Sequence, residues 1–361
     1  MGIMVTLYVT STETFAGKSA VCIGLGRQLL RDGFTVGYMK PLSTTARRVR
    51  EQVVDEDAEF AKRMFNLTES NELLAPVTLT PQIVEAILSG EETTDFVAKL
   101  KSAYVEVSQH KDVVLLEGGA SLREGYIVNL PTPNVSKLLN APELVVIKYG
   151  NNMQLVDDAL TAKTRLDDSM LGVLINVVPR QLMRFVQEVI KPYLEKRGIK
   201  VFAILPQERL LLSISVNELT EALNGEILCC PEYGDELVEY LMVGAMSVDS
   251  ALTYFRRKPN KAVITGGDRP DIQLAALETS TKCLILTGNM RPSPIILGRA
   301  EEVGVPMILV KQDTLTAVEI IERYFGKTRF HQEKKVQRFQ EMLNERFDFD
   351  ALYQALGLKR K

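Results

Sequence analysis

The 361 residues contain no tryptophan, two histidines and four cysteines. With only His110 and His331 present, chemistry built on several imidazoles is excluded, and each isolated histidine reads as a surface or helix-end residue. Cys22, Cys229, Cys230 and Cys283 are scattered or adjacent, never spaced as a CxxC pair, so they are expected as reduced core residues rather than a disulfide framework or a zinc site. Excess charge is missing too: 43 Lys plus Arg stand against 46 Asp plus Glu, a net charge of -3, which leaves no basic field for nucleic acid or an anionic membrane. No apolar run reaches the length needed to cross a bilayer, and Met1-Gly2-Ile3-Met4 leads straight into a strand-like segment with no leader pattern. The expectation is a cytoplasmic chain whose partners are small molecules and other proteins. Its chemistry falls to Lys, Ser, Thr, Asp, Glu and backbone amides.

Short apolar runs recur between helical stretches: "MVTLYVT" at 4–10, "FTVGYM" at 34–39, "DVVLLE" at 112–117, "ELVVIKY" at 143–149, "LGVLINVV" at 171–178 and "VFAIL" at 201–205. Runs this short and uniformly apolar suit central strands of a parallel sheet covered on both faces, so the fold class is α/β, doubly wound. A second strand and helix rhythm starts near residue 225 with "GEILCC" and "YLMVGAM" and continues through "KAVITGG", "KCLILTG" and "VPMILV". The expected division is a first domain over 1–220, a smaller α/β domain over 221–330 and a helical tail over 331–361. That tail carries Phe339, Leu343 and Phe347 along one face and reads as a peripheral helix with a solvated outer side and a frayed end.

The stretch "VTSTETFAGKSAVCIGLG" at 9–26 follows the first strand and opens a helix. A strand, a polar turn and a helix N-terminus together make a phosphate cradle, with Lys18 reaching the terminal phosphates and Ser19 offering its hydroxyl to magnesium. Thr12, Glu13, Thr14, Ala16 and Gly17 of the loop, with Lys18, Ser19 and Ala20, are the expected nucleotide contacts. The strict G-x-x-x-x-G-K-[ST] pattern fails: Thr12 stands where it wants glycine, and Ser11 stands there if the loop is one residue longer. A Gly-Lys-Ser that merely starts a helix is the competing reading.

The loop "TSTETFAGKS" resembles that of dethiobiotin synthetase, with Ser11 in place of that family's first glycine. "YMKPLSTT", "DEDAEF", "LLEGGASL" and "GVLINVVP" resemble further segments of the same family, and "ITGGDRPDIQLAALE" resembles the DRTGG domain. Together they are similar to the N-terminal region of the large phosphate acetyltransferases. The resemblance covers residues 1 to about 330 and implies a P-loop NTPase-type sheet that binds ATP and Mg2+. It also implies a homo-oligomer, most simply a dimer, and a protein partner in acetate or central metabolism. Under it, Lys40 helps bind the acceptor, while Asn176 and Pro206 lie near the base. Fewer residues follow the DRTGG-like part than an acetyltransferase domain needs, so acetyl transfer is not expected of this chain alone.

Individual residues carry competing roles. Lys40 closes a strand and precedes Pro41, at the sheet edge where ligands bind, and equally fits an exposed strand end. Asp55 and Asp57 precede a helical stretch, as magnesium ligands or as N-caps. Glu117 ends a buried strand, where a carboxylate is costly without a cation or hydrogen bonds, so Lys18, Lys40 and Glu117 are the catalytic candidates and Ser19, Asp57 and Glu117 the metal candidates. Asn176 either pairs with adenine or caps a neighbouring loop. In the second domain, Gly266-Gly267-Asp268-Arg269, echoed near Arg291, forms either an anion-receiving loop or a tight turn. Two functions follow: an ATP- and magnesium-binding regulatory or sensor protein, or an ATP-dependent ligase of the dethiobiotin synthetase type.

Overall fold

The computed structural model describes residues 4–49, 52–325 and 330–360. The chain divides into two compact units, residues 1–207 with 333–361 and residues 208–332.

In the first unit the six apolar runs become β1 (Val5–Ser11), β2 (Val36–Met39), β3 (Val113–Glu117), β4 (Glu143–Lys148), β5 (Met170–Val178) and β6 (Val201–Pro206). They form one sheet in the order β6-β5-β4-β1-β3-β2, parallel at every pairing. Both faces are covered, which is why the runs are not alternating. Val145, Ile147, Val173 and Ile175 pack with Leu155, Ala159 and Ala162 of the helix over 152–166, and their neighbours Leu144, Val146 and Leu174 are equally buried. The connection from β1 runs one way along the sheet, whereas those from β3 onward run the other. The carboxyl ends of β1 and β3 therefore meet where the order reverses, the place where open α/β sheets bind ligands.

α1 (Lys18–Arg31) follows β1, and α2 (Glu56–Phe65) follows β2. The segment expected as a peripheral tail is a correction. It forms the last two helices, α9 (Glu333–Arg346) and α10 (Phe349–Leu356), and it belongs to the first unit. Phe339 and Leu343 lie on Gly24 of α1, whose missing side chain leaves the groove they fill. Phe347 stacks on Phe202 of β6 with centroids 5.9 Å apart, and the Tyr353 hydroxyl donates to Asp32 at 2.6 Å. The apolar face is thus buried in the domain, and Arg360 near its end pairs with Asp350 at 3.2 Å.

The second unit is a five-stranded sheet. β7 (Glu226–Cys229), β8 (Tyr240–Val243), β9 (Lys261–Gly266), β10 (Thr281–Thr287) and β11 (Met307–Leu309) lie in the order β7-β11-β10-β9-β8. Only β7 runs antiparallel to its neighbour. After the short turn of helix α3 (Arg209–Leu212), α4 (Val216–Ala222) and α8 (Thr314–Tyr324) bury one face of this sheet. α5 (Val248–Phe255), α6 (Pro270–Leu277) and α7 (Pro294–Val303) bury the other. The 208–220 stretch, assigned above to the first domain, therefore packs with the second sheet: Ile214, Val216 and Leu219 share a core with Ala262 and Ile264. All four cysteines are free and buried, as expected.

Candidate functional site

β1 delivers the chain into a turn that ends at Gly17, whose φ of 101° is the left-handed conformation that glycine adopts without a Cβ penalty. A Cβ there would lie 2.5 Å from the Asn176 side-chain nitrogen, so glycine is required on a second count. Phe15 is also left-handed, with φ 55°, whereas Ser11 is not among the positive-φ residues. The glycine missing from position 11 is therefore no conformational defect. Ser11 instead adds a hydroxyl: Lys18 Nζ donates to Ser11 Oγ at 3.0 Å, and Ser11 Oγ donates to the Glu13 carbonyl at 2.7 Å. Burial lowers the Lys18 pKa below the ordinary lysine value, an effect opposed first by the charge of Glu117.

Glu117, at the carboxyl end of β3, is 2% exposed. Ser19 Oγ donates to its Oε1 at 2.6 Å, and the Tyr38 hydroxyl donates to its Oε2 at 2.7 Å. Burial and the nearby charge of Asp57 push this carboxyl above the usual carboxylate range. Tyr38 is a site residue that sequence reading missed. Its signal is spacing: it lies on β2 two residues before Lys40, the interval that places side chains of an extended chain on one side.

Lys40 is 5% exposed and fully paired. Its Nζ lies 2.8 Å from Asp55 Oδ2 and 2.8 Å from Asp57 Oδ2. Burial by itself lowers its pKa, but Asp57 and Asp55 more than reverse this, and the net shift is upward. The exposed strand-end alternative thus gives way to a buried ion cluster. Of its two expected roles Asp55 takes the N-cap: Oδ1 accepts from the Ala58 amide at 2.9 Å and caps α2, while Oδ2 is taken by Lys40 and the hydroxyls of Ser43 and Thr45.

Asn176 is buried on β5 beside the loop. Its Nδ2 donates to the Ala16 carbonyl at 2.9 Å and its Oδ1 accepts the Val177 amide at 2.9 Å. The amide therefore holds the phosphate loop, the second of its two expected roles. Val177, the next residue, has φ 60°, an unfavourable conformation for a β-branched side chain. Pro206 ends β6 in the adjoining strand. Ala16 and Ala20 are buried, Thr12, Glu13, Gly17, Lys18 and Ser19 half-buried, and Thr14 exposed.

The side chains that could offer oxygens to a divalent cation are the Ser19 hydroxyl and the carboxylates Glu117 and Asp57, the last already paired with Lys40. Among the described residues no group of three His, Cys, Asp or Glu side chains could hold a metal by itself. That donor set fits magnesium arriving with phosphates, since this ion takes one or two carboxylates and completes its shell with substrate oxygens and water.

A parallel sheet whose first strand passes through a lysine-bearing turn into a helix defines a P-loop domain of the α/β class. A family model described as an AAA domain matches residues 5–215, more than half of the chain, and the chain belongs to that family. A second model, the DRTGG domain, matches residues 218–324. The chain is 27% identical over 352 residues to the phosphate acetyltransferase of Nitratidesulfovibrio vulgaris, which covers 91% of this chain and 48% of that protein. It is 26% identical to the phosphate acetyltransferase of Synechocystis sp., covering 83% of this chain and 44% of that protein. The ATP-dependent dethiobiotin synthetase BioD of Caldicellulosiruptor saccharolyticus is 28% identical over 120 residues, 33% of this chain and 49% of that protein. The chain spans about half the length of the phosphate acetyltransferases it matches. Its architecture is a dethiobiotin-synthetase-like P-loop domain followed by a DRTGG domain. Among the described residues no helix is long and apolar enough to cross a membrane.

Proposed function

We propose that the first unit binds ATP with magnesium and that the chain is a nucleotide-responsive regulatory module of the phosphate acetyltransferase type. The observation that carries the reading is the alignment of Lys18, Ser19 and Glu117 at the carboxyl ends of β1 and β3: one ammonium and one hydroxyl at the start of α1, with a carboxylate facing them. In this reading Lys18 leaves Ser11 for the terminal phosphates, and the first amides of α1 take the remaining negative charge. Ser19 and Glu117, with Asp57, hold the magnesium, which when bound neutralises part of the phosphate charge. Asn176 positions the loop through the Ala16 carbonyl.

Lys40 favours a regulatory role over a ligase role. A ligase of the dethiobiotin synthetase type needs this lysine for its acceptor, and here two carboxylates take its charge. The response to nucleotide is read by the second unit, by a further copy of the chain or by a metabolic protein partner. The test is calorimetric titration of the full chain with ATP and magnesium beside the Lys18→Ala variant, together with phosphate release. Binding that weakens at least about tenfold on removal of the ammonium, with turnover near zero, supports the reading. Equal binding by both proteins refutes it, and phosphate release that rises with an added carboxylate or amine supports the ligase.

A further inference from the structure

The turn after β3 holds a charged group that the nucleotide reading leaves unexplained. Glu124 folds back seven residues beyond Glu117 and lays its carboxylate on Gly119. Its Oε2 accepts the Ala120 amide, and it lies so close to Gly119 that a Cβ there would occupy the same space. The other oxygen accepts the Thr44 hydroxyl at 2.5 Å, from the segment that follows Lys40. One carboxylate thus takes a backbone donor from the loop after β3 and a hydroxyl from the loop after β2. Its charge also acts on the Lys18 ammonium, together with those of Glu117 and Asp57.

A backbone amide beside a glycine, a threonine hydroxyl and a nearby ammonium are donors suited to phosphate oxygens. Here the amide and the hydroxyl serve an internal anion, while the ammonium donates to Ser11. We propose, resting on the nucleotide reading above, that Glu124 is a built-in competitor for the third phosphate, holding the donors that phosphate would take and so setting how far the site prefers a triphosphate over a diphosphate. A diphosphate has no group to place there and binds without displacing Glu124. A triphosphate must first push the carboxylate off Ala120 and Thr44, against the repulsion between two anions. The displaced side chain also releases the two loops from each other, so the terminal phosphate alone opens this link.

The test is titration of the full chain with ATP and with ADP, each with magnesium, for the wild type, Glu124→Ala and Glu124→Gln. Glu106→Ala, on an exposed helix surface, is the control for an equal change in net charge. The expected result is that ATP binds about tenfold more tightly to both Glu124 variants, while ADP binding changes less than about twofold and the control leaves both unchanged. If both nucleotides bind every protein but tighten equally, or ATP binds the Glu124 variants no better, the proposal is overturned while the nucleotide reading stands. If no nucleotide binds the wild type or any variant, both fail together. A purely structural role for Glu124 would weaken both nucleotides alike, an outcome that also counts against the proposal.

Discussion

The two units present the same kind of edge and use it differently. Each sheet has glycine-bearing turns at the carboxyl ends of its parallel strands, yet at that edge the first unit pulls its charges inside and the second leaves Arg269 and Arg291 in solvent. Lys40 and Asp55 of the first unit are almost completely buried, whereas Arg291 of the second meets Glu226 with side chains 64% and 59% exposed. Arg269 likewise turns to its near neighbour Asp271. Burying a charge is costly and is tolerated only when partners are supplied. Function is therefore to be sought where the chain accepts that cost, not wherever a glycine turn recurs.

The sharpest way to break this contrast is to remove one member of each ion pair. Lys40→Met leaves two carboxylates without their cation and is expected to destabilise the chain by about 3–5 kcal/mol. Arg291→Ala is expected to cost less than about 1 kcal/mol, because an exposed pair gains little in water. Urea denaturation of both variants checks this, and similar losses would erase the distinction between the two edges.

Much of this was legible beforehand and some was not, for identifiable reasons. The six strands of the first sheet announce themselves because strands buried on both faces must be apolar throughout. Lys18 and Ser19 are set by a local spacing that survives without its first glycine. Tyr38, Ser43 and Glu124 escaped notice because their roles arise from contacts across strands and loops, such as the 79 residues that separate Tyr38 from Glu117. The position of α9 was hidden in Gly24, which in sequence reads only as a weak helix former and in space is the seat for Phe339 and Leu343.

A second prediction sharpens the comparison with pH. Glu143 of the first unit is fully buried. Burial pushes its carboxyl up to about 8 against an ordinary 4.5, with only the neutral partners Ser136, Ser169 and Thr10 to oppose the shift. Between those values the folded chain holds a proton that the unfolded chain has released, so stability falls as pH rises through this window. Lys261 of the second unit is also fully buried, with a carbonyl, Ser280 O, at 3.0 Å. Burial lowers it to about 8 against an ordinary 10.5. There the unfolded chain binds the extra proton, so stability rises with pH between about 8 and 10.5. Glu143→Gln is expected to remove a fall of a few kcal/mol below pH 8, and Lys261→Met the rise above it. Denaturation across pH 5 to 10 reads both slopes, and slopes of one sign in both variants would refute the assignment.

The smallest expected effect concerns Ser11, where the usual pattern of such loops has glycine. Its backbone needs no left-handed freedom, so Ser11→Gly is not expected to relieve strain, and its consequence is confined to the hydroxyl that Lys18 holds in the absence of phosphate. Removing that hydroxyl frees the ammonium but leaves a half-buried charge with one partner fewer, and the two effects oppose each other. A neutral hydrogen bond is worth about 1 kcal/mol, so ATP affinity should rise by no more than about fivefold and thermal stability should fall slightly. A change of a hundredfold would mean that the serine does more than hold the lysine: it would be filling the cradle itself. The contrast between a charged first edge and an inert second one would then rest on Lys40 and Glu117 rather than on the loop.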